Sequence, residues 1–323
     1  MLWVYVPRDT SLERVPIVSK EEVPDSSVWF DLVNPNTQED KIVEYKVGIA
    51  VPTREEMQEI EVTSRLYVEN GARYMTATLM CQADTPNPKT TPITFILSGH
   101  RLITVRYEEP RPFMIVGHKL GRVCSPAVSG ESVLMELLDA VIDRTADILE
   151  RIGGEVDQIS HDIFEPEGER ADRSYNQILR AIGRKGDLTS KVRESLVSIE
   201  LMLRFASPPA RGSSEESEPQ GHIGTMLHDI SSLDTQTEYL LGKVQFLLDS
   251  ILGFVNLNQN DIIKILSVIM VVFTPPTFFA SMYGMNFKNM PEYDWAYGYQ
   301  YGLVLMLVSA VVPYLVFRWK KWL

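Results

Sequence analysis

Five uncharged polar residues, Asn260, Ser267, Thr274, Thr277 and Ser281, recur at intervals of 7, 7, 3 and 4 through an otherwise apolar stretch near the C-terminal end of the chain. That spacing puts them on one face of a helix. Amide and hydroxyl oxygens on such a stripe can hydrogen-bond a polar solute without holding it by charge. The same hydroxyls can instead bond back to their own helix or make small-residue packing contacts, and spacing does not choose between the two readings. Asn286 follows, and then the carboxylates Glu292 and Asp294.

The stripe needs a helix to carry it, and the hydropathy pattern supplies two. Ile265–Tyr283 and Tyr297–Phe317 are uncharged segments of 19 and 21 residues separated by 13. At about 1.5 Å per residue, each is long enough to cross a roughly 30 Å hydrocarbon layer. A buried soluble helix of this length would show a polar, charged face, and neither segment does. Arg318, Lys320 and Lys321 follow the second span and Lys264 flanks the first, whereas the connection offers only Lys288. The positive-inside bias then places both termini in the cytoplasm. Tyr283, Tyr293, Trp295, Tyr297, Tyr299 and Tyr301 crowd the outer boundary; Trp319 and Trp322 mark the inner one. Pro275-Pro276 removes two donors in mid-span and predicts a kink or local unwinding. Two helices cannot enclose a polar path alone, so conduction would require several copies around a shared axis.

The remainder reads as a large soluble region: mean hydropathy over the chain is −0.06, charged residues make up 23%, and net charge is −12. The acidic balance argues against nucleic acid and favours multivalent cations as partners. Met1 leads directly into a strand-like Leu2–Val6, with no signal peptide in front. Cys81 and Cys124 have no spacing motif, and a cytoplasmic setting predicts both reduced and buried. His100, His118, His161, His222 and His228 form no cluster at zinc spacing. There is no P-loop, nucleophile elbow, paired-cysteine motif or Gly-rich dinucleotide turn, so an enzyme is not expected, although a membrane-anchored enzyme and a structural tether are the alternatives from other classes.

The soluble region divides in chain order. Residues 1–130 predict an α/β domain with strands at Val28–Val33, Tyr74–Met80, Ile93–Leu97 and Leu102–Tyr107, and a hairpin turn at Ser98-Gly99-His100. Thr53 caps a short helix start, and Pro86, Pro88 and Pro92 mark a loop. Residues 131–221 predict an antiparallel helical pair, its first apolar face running from Leu134 through Ile163 and its second from Ile178 through Leu203, with a mobile, Pro/Ser/Gly-rich loop at 207–221. Residues 222–261 form a stalk helix whose Leu227, Ile230, Leu241, Val244, Leu248, Ile251 and Val255 make a coiled-coil-like seam, interrupted by Asp234, Thr237 and Asn258. Then come a first span at 262–283, an outer loop at 284–296, a second span at 297–317 and a basic tail at 318–323. The fold class is an α+β membrane protein.

Tyr283-Gly284-Met285-Asn286 followed by Met290-Pro291-Glu292 resembles the CorA family of divalent-cation channels. Phe246–Asn256, Trp29–Pro35, Pro52–Glu61, Tyr74–Thr78 and the closing Lys321-Trp322-Leu323 also look like that family, in the same order along the chain. The resemblance implies a homopentameric funnel in the cell (inner) membrane with the first span lining the pore and the second facing lipid. It implies a selectivity filter of Gly284, Met285 and Asn286, with Asn286 touching the hydrated ion. It further implies a polar ring at Asn260, a hydrophobic constriction of Ile263, Leu266 and Met270, and a lining of Ser267, Thr274, Thr277 and Ser281.

Mg²⁺ sheds its six waters reluctantly, so neutral oxygens that bond to those waters suit it, and weak sites permit release. Five copies of Glu292 and Asp294 would concentrate cations at the mouth. Co²⁺ and Ni²⁺, close to Mg²⁺ in hydrated size, would also pass. No cofactor is implied: Mg²⁺ is the substrate and a regulatory ligand that closes the channel from the cytoplasm. Candidate regulatory acids are Asp84, Asp229, Asp234 and Asp249, with Thr225 and His228 standing where acids would otherwise be sought. A zinc transporter of the same superfamily is the nearest rival, and Met285 argues against it.

Overall fold

The computed structural model describes residues 1–8, 10–123, 128–165, 175–207, 218–285 and 290–320. The chain forms two compact units, Met1–Leu247 and Leu248–Leu323.

In the first unit seven strands make one sheet: β1 (Leu2–Arg8), β2 (Ser11–Ile17), β3 (Trp29–Val33), β4 (Leu66–Glu69), β5 (Ala72–Cys81), β6 (Lys89–Ser98) and β7 (Arg101–Arg106). Their order is β2-β1-β3-β7-β6-β5-β4. All neighbours are antiparallel except β3 and β7, which pair in parallel from Trp29↔Leu102 to Val33↔Arg106. The five expected strands, the one at Leu2–Val6 included, and the turn at Gly99, whose φ is 59°, are present. β2 and β4 were not expected. A signal for β4 was available: Asn70-Gly71 sits between β4 and β5 with φ of 50° and 81°, the left-handed pair that a tight hairpin needs. Pro92 is not in a loop. It lies in β6 opposite Thr78, one residue beyond the Ile93↔Arg106 pair that ends the β6–β7 ladder, where no donor toward β7 is required.

Period-2 alternation gives the sheet two buried faces. On one, Leu2, Val4, Phe30, Leu32, Ile103 and Val105 pack with Val43 of α1 (Thr37–Val47) and Met57 of α2 (Arg54–Met57). Both helices start on a capping box, Asn36 with Glu39 and Thr53 with Glu56. A further turn, α3 (Val62–Arg65), leads into β4. Over the other face lies α4 (Arg111–Leu120), whose Phe113 sits with ring centroids 6.4 Å from Trp29 and 6.1 Å from Phe95. The long helices α5 (Gly130–Phe164) and α6 (Tyr175–Ala206) also dock on the sheet. Gly130 lies directly on the β7 backbone, Thr78 N–H donates to Ser198 Oγ at 2.7 Å, and Arg73 Nη1 donates to the Ala206 carbonyl at 2.9 Å.

The expected apolar faces of α5 and α6 are buried, including Leu134, Leu138, Ile152, Ile182, Val192 and Ile199. Most of the 207–221 loop lies outside the described residues. α7 (Glu218–Tyr283) then runs unbroken for 66 residues. Its N-terminal part packs on α5 and α6 through Leu240 near Gly153 and Val244 near Gly186, and through a Phe164–Phe246 stack at 6.0 Å. Arg193 joins the helices to Asp234 at 3.1 Å, His222 bonds Asp139 at 2.8 Å, and Lys243 pairs with Asp157. Within the first unit the buried stripe of α7 is Ile223, Met226, Ile230, Thr237, Leu240 and Leu247. Of the expected seam, Ile230 lies in this stripe, while Leu227, Leu241 and Val244 are half-buried on the single chain. Thr237, expected to break the seam, is wholly buried because its hydroxyl donates to the Leu233 carbonyl at 2.7 Å.

Candidate functional site

The second unit holds the polar stripe. α7 stays helical through Pro275 and Pro276, so the expected unwinding does not occur. Each proline lacks the N–H that would reach four residues back. On the flanking turns Thr274 Oγ1 donates to the Met270 carbonyl at 2.6 Å and Thr277 Oγ1 to the Phe273 carbonyl at 2.8 Å. Ser267 Oγ likewise donates to the Ile263 carbonyl at 2.7 Å. The hydroxyls of Ser267, Thr274 and Thr277 therefore direct their protons to their own helix and keep their lone pairs, so each presents an acceptor oxygen.

Asn260, Ile263, Leu266, Ser267, Met270, Thr274, Thr277 and Ser281 are all exposed on the single chain. Gly284 ends the helix with its N–H donated to the Ala280 carbonyl at 3.0 Å, and Met285 N–H reaches the Met282 carbonyl at 3.3 Å. A Cβ at Gly284 would stand 3.2 Å from the Ala280 carbonyl oxygen, so a larger residue would push against the last turn. Asn286 lies outside the described residues, as does the side chain of Glu292. Asp294 is exposed at the end of a short 3-10 turn, Pro291–Asp294. After it, α8 (Gly298–Trp319) returns. Trp295 packs on Tyr301 with centroids 5.5 Å apart, and Gly302 brings α8 close to the Tyr283 ring. Both α7 and α8 carry a stretch long and apolar enough to cross a membrane.

The four regulatory candidates differ in their surroundings. Asp84 meets Arg111 at 2.7 Å, Arg144 at 2.8 Å and Arg151 at 3.3 Å. Burial pushes its carboxyl pKa up, but those three guanidinium groups outweigh it and hold the value below the ordinary carboxylate range. Asp234 is engaged by Arg193, which Glu238 also reaches at 2.5 Å. Asp229 and Asp249 are exposed on α7. Among the described residues no group of three His, Cys, Asp or Glu side chains converges as a metal site. Of the two cysteines, Cys81 is buried and free as expected; Cys124 lies outside the described residues.

A seven-stranded α/β domain, a helix that continues from it into an apolar span with an uncharged polar stripe, and a second apolar span define a class, the membrane-embedded ion-transport proteins. The model of the CorA-like Mg²⁺ transporter protein family matches residues 24–321. The magnesium transport protein CorA of Yersinia pseudotuberculosis is 32% identical over 323 residues, covering all of both chains. That of Escherichia coli K12 is 32% identical over 325 residues, again covering both. The chain belongs to the CorA-like Mg²⁺ transporter family. Its fold is also that of the complete CorA magnesium transporter of Methanocaldococcus jannaschii, with a TM-score of 0.76 at 17% identity over 100% of this chain and 99% of the other.

Proposed function

We propose that the chain assembles as a homopentamer in the cell (inner) membrane, with both termini cytoplasmic, and conducts Mg²⁺ inward down its electrochemical gradient. The observation that carries the reading is the uncharged, acceptor-presenting stripe of Ser267, Thr274 and Thr277 on a membrane-length helix of a CorA-like chain. The division of labour follows the chain: 1–130 and the helical pair at 131–221 as the cytoplasmic part, 222–261 as stalk, 262–283 as pore helix, 284–296 as mouth, 297–317 as lipid-facing helix, and 318–323 as basic tail. Gly284, Met285 and Asn286 form the filter, and five copies of Glu292 and Asp294 draw cations toward it. Ile263, Leu266 and Met270 close the pore as a dewetted collar, with Asn260 as a polar ring at its inner end. Neutral oxygens reading a hydrated ion would admit Co²⁺ and Ni²⁺ as well.

Cytoplasmic Mg²⁺ closes the channel by bridging acids of neighbouring copies. Asp229 and Asp249 are exposed candidates for that role on α7. Asp84 and Asp234 would first have to exchange arginine partners for the metal.

The test is Mg²⁺ flux into liposomes containing the purified full-length chain, beside Asn286→Ala. Flux that falls at least tenfold in the variant, with assembly size unchanged and wild-type flux suppressed by millimolar Mg²⁺ on the cytoplasmic side, is expected. A chain that is monomeric, that passes no divalent ion, or that passes only Zn²⁺ removes the proposal.

A further inference from the structure

Away from the membrane unit, α4 does not close fully on the sheet. A cavity of about 950 Å³ opens between α4 and the β2-β1-β3 end, within the roughly 300–1,000 Å³ range of small-molecule sites. At its floor are two deeply buried polar side chains, Tyr5 and Arg106, 3% and 6% exposed. Three of the five Arg106 N–H groups are used: Nε and Nη2 donate to Asp31, both at 2.9 Å, and Nη1 donates to the Glu108 carbonyl at 3.0 Å. Two remain. Tyr5 is stacked on Trp29 with centroids 4.1 Å apart, and its hydroxyl points toward α4, where Gly117 leaves room: a Cβ there would stand 2.9 Å from the oxygen. Among the described residues this hydroxyl has no protein hydrogen-bond partner. The oxygen opens onto the cavity, where a bound acceptor can take its proton in place of water. Burial also pushes its pKa up to about 12, which keeps the proton available for donation near neutral pH.

The rim is cationic in excess. Arg14, Arg111 and Arg122 border the cavity, against Glu13 and Glu109. Arg111 is shared with Asp84, and Glu13 is held by Arg8 at 2.5 Å. Arg122 has no ion pair among the described residues. The Arg14 guanidinium carbon lies over the Trp3 ring, 3.8 Å from its centroid, so one face of an indole at the cavity wall already receives a planar group.

We infer that this cavity binds a small phosphate-bearing organic anion with a planar ring, of nucleoside monophosphate size. Its phosphate would accept from Tyr5 Oη and the spare Arg106 N–H groups and pair with Arg122, while its ring would take the place of Arg14 on Trp3. Guanidinium forks match phosphate oxygens in pairs, which is why arginine rather than lysine is apt here.

The test is isothermal titration of the full-length, detergent-solubilised chain, in chelator so that no divalent ion takes part, with AMP, adenosine and inorganic phosphate. It reads binding in the soluble unit and is independent of ion flux. AMP should bind, adenosine should not, and inorganic phosphate should displace AMP. Affinity for AMP should fall at least tenfold in Arg122→Gln, which changes one rim side chain, and in Tyr5→Phe, which keeps the ring and its stacking. Absence of AMP binding at millimolar concentration overturns the inference. So does adenosine binding as tightly as AMP, failure of phosphate to compete, or an unchanged affinity in both variants at matched unfolding temperature.

Discussion

Replacing Asp31 by asparagine keeps the shape of the side chain and removes its charge. In the folded protein Asp31 accepts from Thr104 Oγ1 at 2.8 Å and from Arg106 Nε and Nη2, both at 2.9 Å, while Trp29 Nε1 donates to Thr104 Oγ1 at 2.9 Å. The Arg106 and Asp31 side chains are 7% and 2% exposed. Burial opposes the guanidinium charge, and the bond to Asp31 and its charge overcome that and raise the Arg106 pKa. The Asp31→Asn variant would leave Arg106 ionised and buried, with an amide N–H facing one of its own donors. Removing one partner of such a pair costs about 3–5 kcal/mol, a large part of the roughly 5–15 kcal/mol that holds a typical domain folded. At roughly 2–4 °C per kcal/mol for a unit of this size, the unfolding midpoint should fall by about 6–20 °C. The assay is thermal unfolding of the full-length chain in detergent followed by tryptophan fluorescence, with Trp29 hydrogen-bonded into the same network. Asp31→Leu/Arg106→Met should recover most of the loss, because removing both charges leaves no buried charge unpaired. A midpoint unchanged in Asp31→Asn would refute the reasoning. A double variant no better than the single one would show that the stranded charge is not the cause.

Other expectations are simpler to state. Gly130→Ala should destabilise the first unit by about 1–3 kcal/mol or more, since a Cβ there would stand 2.3 Å from Leu102 N and 2.4 Å from Arg101 C, and backbone cannot step aside as a side chain can; chemical denaturation reads it, and a neutral result would mean the helix start shifts freely. Cys81 is 2% exposed, and burial pushes its thiol up to about 12. The native protein should therefore show no rise in Cys81 alkylation from about pH 7 to 10, where an exposed thiol near 8.5 would ionise; peptide mapping after a timed iodoacetamide pulse measures it, and a rate climbing through the range of an ordinary thiol would contradict the burial.

What lies close in sequence was readable because its physics is local. The 3.6-residue period marked the long helices, capping residues such as Thr53 marked starts, and Gly99 marked a turn. Two uncharged runs marked the spans and carried the polar stripe, since the length of a membrane helix is set by the bilayer and not by the rest of the fold. Asn70-Gly71 was equally local, and β4 was legible there.

Other features needed the folded chain because they join residues far apart. Nothing near Asp84 announces Arg111, Arg144 and Arg151, which come from later helices and occupy the carboxylate. Nothing near Asp31 announces Arg106, whose strand arrives beside β3 in parallel after the rest of the sheet has intervened. The period of α7 showed that it has an apolar face, but which of its neighbouring stripes is buried depends on α5 and α6, and they selected Ile223, Met226, Thr237 and Leu240. Hydrophobic periodicity fixes the kind of element through interactions spanning a few residues, whereas partner choice is set by the packing of surfaces that meet only once the whole unit has closed.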